Sequence, residues 1–109
     1  MERARSGAEN VIQTTRRVDQ WLWFARLFKS RTSAAKFCLA GRLRINKASI
    51  DKASHAVRVG DILTFFAGGR VRVVRIRALG NRRGPAGEAR ELYQELATSK
   101  AVVDGIAEG

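Results

Sequence analysis

The sequence has one cysteine, one proline and one histidine, and between residues 16 and 83 only three acidic residues. A lone Cys38 excludes an internal disulfide framework, and Cys38 and His55 by themselves make no zinc cluster. No nucleophile and base stand together in a catalytic pattern. Asp19 and Asp61 each lack a second carboxylate or histidine, so they read as a helix cap and a turn residue rather than an acid-base pair. No apolar run approaches the roughly 20 residues of a membrane span, and none near the start has signal-peptide length. The expectation is a cytoplasmic, metal-free, non-enzymatic protein without a cofactor. With 109 residues, the chain has room for one domain around one modest core.

Positive charge is what the sequence has in excess. The net charge of +11 is uneven: residues 16 to 83 carry 17 Lys or Arg against three acids, and residues 84 to 109 carry two bases against five acids. The stretch from Arg17 to Asn46, RVDQWLWFARLFKSRTSAAKFCLAGRLRIN, holds seven bases and one acid. That composition suits a phosphate backbone better than it suits chemistry.

Residues 1 to 15 show no core-facing pattern and are expected to form a flexible leader. Asp19 is placed to cap a first helix running to about Phe28, with Val18 packing back on Leu22. Ser30 is the next cap, for a second helix over about Arg31 to Ala40 that Gly41 ends in a left-handed conformation. After Gly41 the period becomes two: Leu43 and Ile45 face one way, Arg42 and Arg44 the other. Further strands are expected at Ala48 to Ile50, Asp61 to Phe66 and Arg70 to Leu79, separated by Val59-Gly60-Asp61 and Gly68-Gly69 turns. The apolar positions change parity between Val73 and Val74, which predicts a bulge there. Pro85 opens a helix to about residue 97, on the stripe Ala89, Leu92, Tyr93 and Leu96. Residues 98 to 109 read as a flexible tail. The fold class is α+β: two N-terminal helices on a small, twisted, mainly antiparallel sheet, plus a C-terminal helix.

The run Arg17-Val18-Asp19, Trp21-Leu22-Trp23, Lys29-Ser30-Arg31, Ala35, Gly41, Leu43-Arg44-Ile45-Asn46 and Val57 to Asp61 resembles the RNA-binding domain named after small-subunit ribosomal protein S-four. Including Arg82-Arg83-Gly84-Pro85-Ala86, Glu88, Ala89 and Leu92-Tyr93, it is similar to the ribosome-associated heat-shock family of about fifteen kilodaltons. The resemblance implies binding to large ribosomal subunits, particularly free ones still holding a nascent chain on transfer RNA. Two departures stand out. Lys47 replaces the glycine that commonly follows the asparagine, and the chain ends in a short acidic tail where longer members carry a basic extension.

From the residues alone, the N-terminus of the second helix offers unpaired N–H groups beside Lys29, Ser30 and Arg31, with Lys36 one turn along. Arg42, Arg44, Asn46 and Lys47 lie past its other end, and Arg17 completes the expected RNA-binding set. Structured RNA is read mainly through phosphates and 2′-hydroxyls, so little sequence preference is expected. Arg70, Arg72, Arg75 and Arg77 have the alternation of an ordinary solvated sheet face and are left out. Trp21 and Trp23 cannot share a helix face, so at most one is well buried. The expected partners are ribosomal RNA, the large subunit and peptidyl-tRNA, bound by a monomer. Two alternatives are an RNA-targeting module working with a separate RNA-modifying enzyme and a general DNA-binding protein.

Overall fold

Ser30 starts the second helix through a reciprocal cap. Its hydroxyl accepts from the Ser33 N–H at 3.0 Å, and the Ser33 hydroxyl accepts from the Ser30 N–H at 3.3 Å. In the computed structural model, which describes residues 14–100, this helix α2 is Arg31–Leu39. Its end is equally local: the Gly41 N–H returns to the Cys38 carbonyl and the Arg42 N–H to the Phe37 carbonyl, with Gly41 at φ 72°. That is the left-handed helix stop expected of glycine.

Helix α1, Val18–Phe24, is shorter than the pattern predicts. It ends with the same pair of bonds, Arg26 N–H to Trp23 and Leu27 N–H to Leu22, and the left-handed position is Arg26 at φ 58°. An arginine there carries no sequence signal for a stop. At the other end Val18 lies inside the helix, and Arg17 rather than Asp19 is the flanking residue. The first-turn donors are satisfied by loop carbonyls: Val18 N–H bonds His55 at 2.8 Å and Asp19 N–H bonds Ala53 at 3.2 Å.

Two short strands, β1 (Arg16–Arg17) and β4 (Ala56–Val57), pair antiparallel beside this helix start. The main sheet has β2 (Leu43–Ile45), β3 (Ala48–Ile50), β5 (Ile62–Ala67), β6 (Arg70–Ile76) and β7 (Tyr93–Lys100). All neighbours are antiparallel in the order β3-β2-β5-β6-β7. Gly68 and Gly69, both at positive φ, join β5 to β6 as a two-residue hairpin favours. Gly60, at φ 99°, makes the turn into β5.

One sheet face carries Leu43, Ile45, Ile50, Leu63, Phe65, Val74 and Ile76 into a core shared with Val18, Trp21, Leu22, Ala34 and Cys38. Phe37 bridges Phe28 and Phe65, at ring separations of 5.0 and 6.3 Å. Trp21 is fully buried, and its indole N–H donates to the Ala78 carbonyl at 2.9 Å; Trp23 is half-buried.

Two expectations about the second half of the chain need correction. The C-terminal helix α3 is only Ala86–Arg90, and from Tyr93 the chain becomes β7. Of the apolar stripe, Ala89 and Leu92 are buried, whereas Leu96 is exposed. Residues 98 to 100 therefore belong to a strand, while 1 to 13 and 101 to 109 of the expected leader and tail lie outside the described residues. The register shift at Val73/Val74 exists, but the extra residue is Leu96, because Val73 opposes Ala97 and Val74 opposes Glu95. Strand β6 runs without a bulge against β5. Arg72 consequently shares the inner face with Val74. Its charge is paired there with Glu95, Nη2 to Oε1 at 2.5 Å, and its guanidinium lies over Phe65. Hydrogen bonding to Arg72 holds the Glu95 carboxyl below its ordinary pKa, and Arg72 is raised in return.

Candidate nucleic-acid interface

Asp19 is the one buried acidic residue among those described, and its carboxylate organises the basic residues around it. Oδ1 and Oδ2 accept from Arg17 Nε and Nη2, both at 3.0 Å, and Oδ1 also accepts from the Gln20 N–H at 2.7 Å. Arg31 Nε lies 3.6 Å from Oδ2. The bonds that Arg17 donates to Asp19 raise its pKa. The sequence alone shows Asp19 only as a cap. In the fold it is a brace that brings Arg17 of β1 and Arg31 of α2 to one carboxylate, each with close to half its side chain exposed, 50% and 42%. Two guanidinium groups against one carboxylate leave a net positive charge whose positions are held.

Arg31 is also the first residue of α2, beside exposed Lys29 and Ser30. The Ser30 hydroxyl is occupied by its cap. The donors that α2 cannot pair internally are then the N–H groups of Arg31 and Thr32, which point out of the helix start toward any bound anion.

The remaining expected residues sit elsewhere. Lys36 is exposed on the outer side of α2. Arg42 lies past the other end of the helix, about 13 Å away by helix rise, with its guanidinium 5.3 Å from the centre of the Phe37 ring. Arg44 is exposed on β2 between the buried Leu43 and Ile45, opposite Ser49 and Thr64, so it leaves the outer face of the sheet. Lys47 is exposed in the β2–β3 turn. The set forms two groups, Arg17, Lys29, Ser30 and Arg31 at the helix starts and Arg42, Arg44 and Lys47 around β2, with Lys36 between them.

Asn46 has a structural task. Its backbone takes φ 57°, its Oδ1 accepts from the Ile62 N–H at 3.0 Å, and its Nδ2 donates to Asp61 at 3.3 Å. The side chain thereby pins the hairpin to the start of β5. Lys47 has no positive φ, so the turn differs from the Asn-Gly form and places no left-handed strain on the lysine.

Cys38 is buried beside the same centre, and burial first, then the Asp19 charge, pushes its pKa up to about 11. No helix among the described residues is long and apolar enough to cross a membrane.

The S4 domain family matches residues 16–63, which hold the braced arginines, α2 and the Asn46 pin. The chain is 37% identical over 91 residues to the heat shock protein 15 homolog of Haemophilus influenzae, covering 84% of this chain and 69% of that protein. It is 37% identical over 83 residues to heat shock protein 15 of Escherichia coli (strain K12), covering 76% and 62%. Among solved structures, the trimeric Vibrio cholerae heat shock protein 15 matches with a TM-score of 0.69 and 31% identity, over 76% of this chain and 83% of that one. That relative is a trimer, which points away from the monomer expected of this chain. The sequence, the S4 match and the relatives agree: the chain belongs to the heat shock protein 15 family and carries its S4 RNA-binding domain.

Proposed function

We propose that the protein binds structured ribosomal RNA without catalysing a reaction on it, and that this RNA belongs to the large ribosomal subunit under heat stress. The observation that carries the reading is the Asp19 brace, which holds Arg17 and Arg31 beside the free N–H groups of α2. A braced guanidinium loses less freedom on meeting a phosphate than a free one does. Lys29 adds charge at the same place. Lys36 continues it along α2, and Arg42, Arg44 and Lys47 continue it around β2. Free subunits that still hold peptidyl-tRNA are the partner the family resemblance favours, and the cytoplasm is the compartment where they are met.

Self-association goes with this reading. The outer sheet face bears Phe66 at 42% exposure beside Val71 and Val73, and the Vibrio cholerae relative is trimeric.

Gradient sedimentation of lysates after heat shock tests the assignment. Co-migration with large subunits, enriched in those retaining peptidyl-tRNA, is expected. Migration only with small subunits or messenger RNA contradicts it, and equal competition by duplex DNA at matched salt contradicts the RNA specificity.

A further inference from the structure

Three arginine-to-carbonyl bonds hold the connection from Gly80 to Gly84 against β1, α1 and the turn that follows α1. Arg16 Nη2 donates to Gly80 at 2.7 Å, Arg26 Nε to Gly84 at 2.7 Å, and Arg83 Nε to Trp23 at 3.1 Å. The last bond accompanies a cation–π contact: the Arg83 guanidinium lies over the half-buried Trp23 ring, 5.6 Å from its centre. Trp23 in turn leans on Phe24, with ring centres 5.8 Å apart. Arg26 is exposed, and it occupies the left-handed position that glycine usually fills at a helix end. Arg26 and Arg83 each spend Nε on a carbonyl, which fixes the guanidinium plane, while their Nη groups have no hydrogen bond among the described residues. Neighbouring Arg82 is neutralised by Glu88, Nη2 to Oε1 at 2.6 Å.

We propose that Trp23, Arg26 and Arg83 form a second RNA contact that stacks one unpaired base on the Arg83–Trp23 platform and holds the adjacent phosphate with Arg26. The proposal rests on the reading that the protein binds structured RNA, and it names the feature selected. Guanidinium planes and indole rings stack bases of any identity, but a continuous stem has no free base face to offer. Only Leu27 and Phe28 lie between Arg26 and Lys29, at most about 11 Å of chain. A strand seated at the start of α2 therefore passes within reach of Arg26. Stapling the loop explains the two Nε bonds; it requires neither the unspent Nη groups nor an arginine at a left-handed position.

Two hairpin RNAs of equal stem length, one with a single bulged 2-aminopurine nucleotide and one fully paired, test this with the full chain at fixed salt. The wild-type protein is expected to bind the bulged hairpin roughly tenfold more tightly and to quench the 2-aminopurine. Arg83→Ala and Arg83→Lys lose that preference and the quenching, while affinity for the paired hairpin changes by less than about threefold. Arg31→Ala weakens binding to both hairpins and keeps their ratio. Equal wild-type affinity for the two hairpins, or undiminished preference in the folded Arg83 variants, overturns the platform and leaves the RNA reading standing. Absence of wild-type binding to either hairpin overturns both. Should Arg83→Ala fail to fold, Arg83→Lys decides, because it keeps the charge and loses the plane.

Discussion

The carboxylate of Asp19 lies 3.6 Å from Nε of Arg31, and this pair ties the first turn of α1 to the first turn of α2. The same carboxylate takes two bonds from Arg17. A residue that reads in the sequence as a simple cap thus sets the spacing of two guanidinium groups. Asp19→Asn is expected to lower stability by about 1–2 kcal/mol, because charge-assisted bonds at a buried acceptor are lost while the arginines can turn to water. It is also expected to weaken RNA binding although the surface becomes more positive. Stronger RNA binding by a folded Asp19→Asn variant contradicts the brace.

The β2–β3 turn makes a separate prediction. Asn46 alone is left-handed, and its side chain holds Ile62 and Asp61. Asn46→Ala is expected to cost about 2 kcal/mol through lost hydrogen bonds and backbone strain. Asn46→Gly costs less, since only the bonds are lost. Lys47→Gly removes no strain and is expected to be neutral or destabilising by up to about 1 kcal/mol. Denaturant unfolding measures all three, and a clear gain from Lys47→Gly contradicts the turn described.

The Arg72–Glu95 pair predicts an acid-side effect. Glu95 is held below the ordinary glutamate value of about 4.5, so the folded chain binds this proton less readily than the unfolded chain. The stabilisation is complete above the unfolded value and disappears as pH falls through the folded one. The pair is partly exposed, which limits it to below about 1 kcal/mol. Wild type and Glu95→Gln should differ in melting temperature at about pH 6, and the difference should be smaller at about pH 3. A difference of the same size at both values contradicts the pairing.

Cys38 is expected to be inert while the chain is folded. Its thiol is buried, with a pKa pushed up to about 11, and the reactive form is the thiolate. Alkylation near pH 8 should proceed only in denaturant. Rapid modification of the native protein contradicts the packing of α2 on the core.

The parts of the fold that were legible in the sequence are those decided within a few residues. Ser30 and Gly41 mark the ends of α2 because cap and stop are local bonds. Alternation around Arg44 and the turns at Gly60 and Gly68-Gly69 follow from side-chain period and positive φ. What was missed depends on distant partners. Leu92, Tyr93 and Leu96 have helical spacing, but β6 has a free edge there and its hydrogen bonds draw Tyr93–Lys100 into a strand. The parity change at Val73 and Val74 is real, yet Arg72 can face inward because Glu95 meets it, so the bulge falls at Leu96 on the partner strand. Within the site, Lys29, Ser30 and Arg31 were legible from the cap. The role of Asp19 was not, since it requires β1 and α2 to meet. Trp23 with Arg83 was equally hidden, because 60 residues separate them.

Salt dependence of binding to a structured ribosomal RNA fragment, compared between wild type and Arg31→Ala, tests the central claim most directly. The account predicts a folded variant with weaker binding and a slope in log affinity against log salt reduced by about 0.7–0.9 for the lost phosphate contact. An unchanged affinity and slope in a folded Arg31→Ala protein would show that RNA does not meet the chain at the braced start of α2.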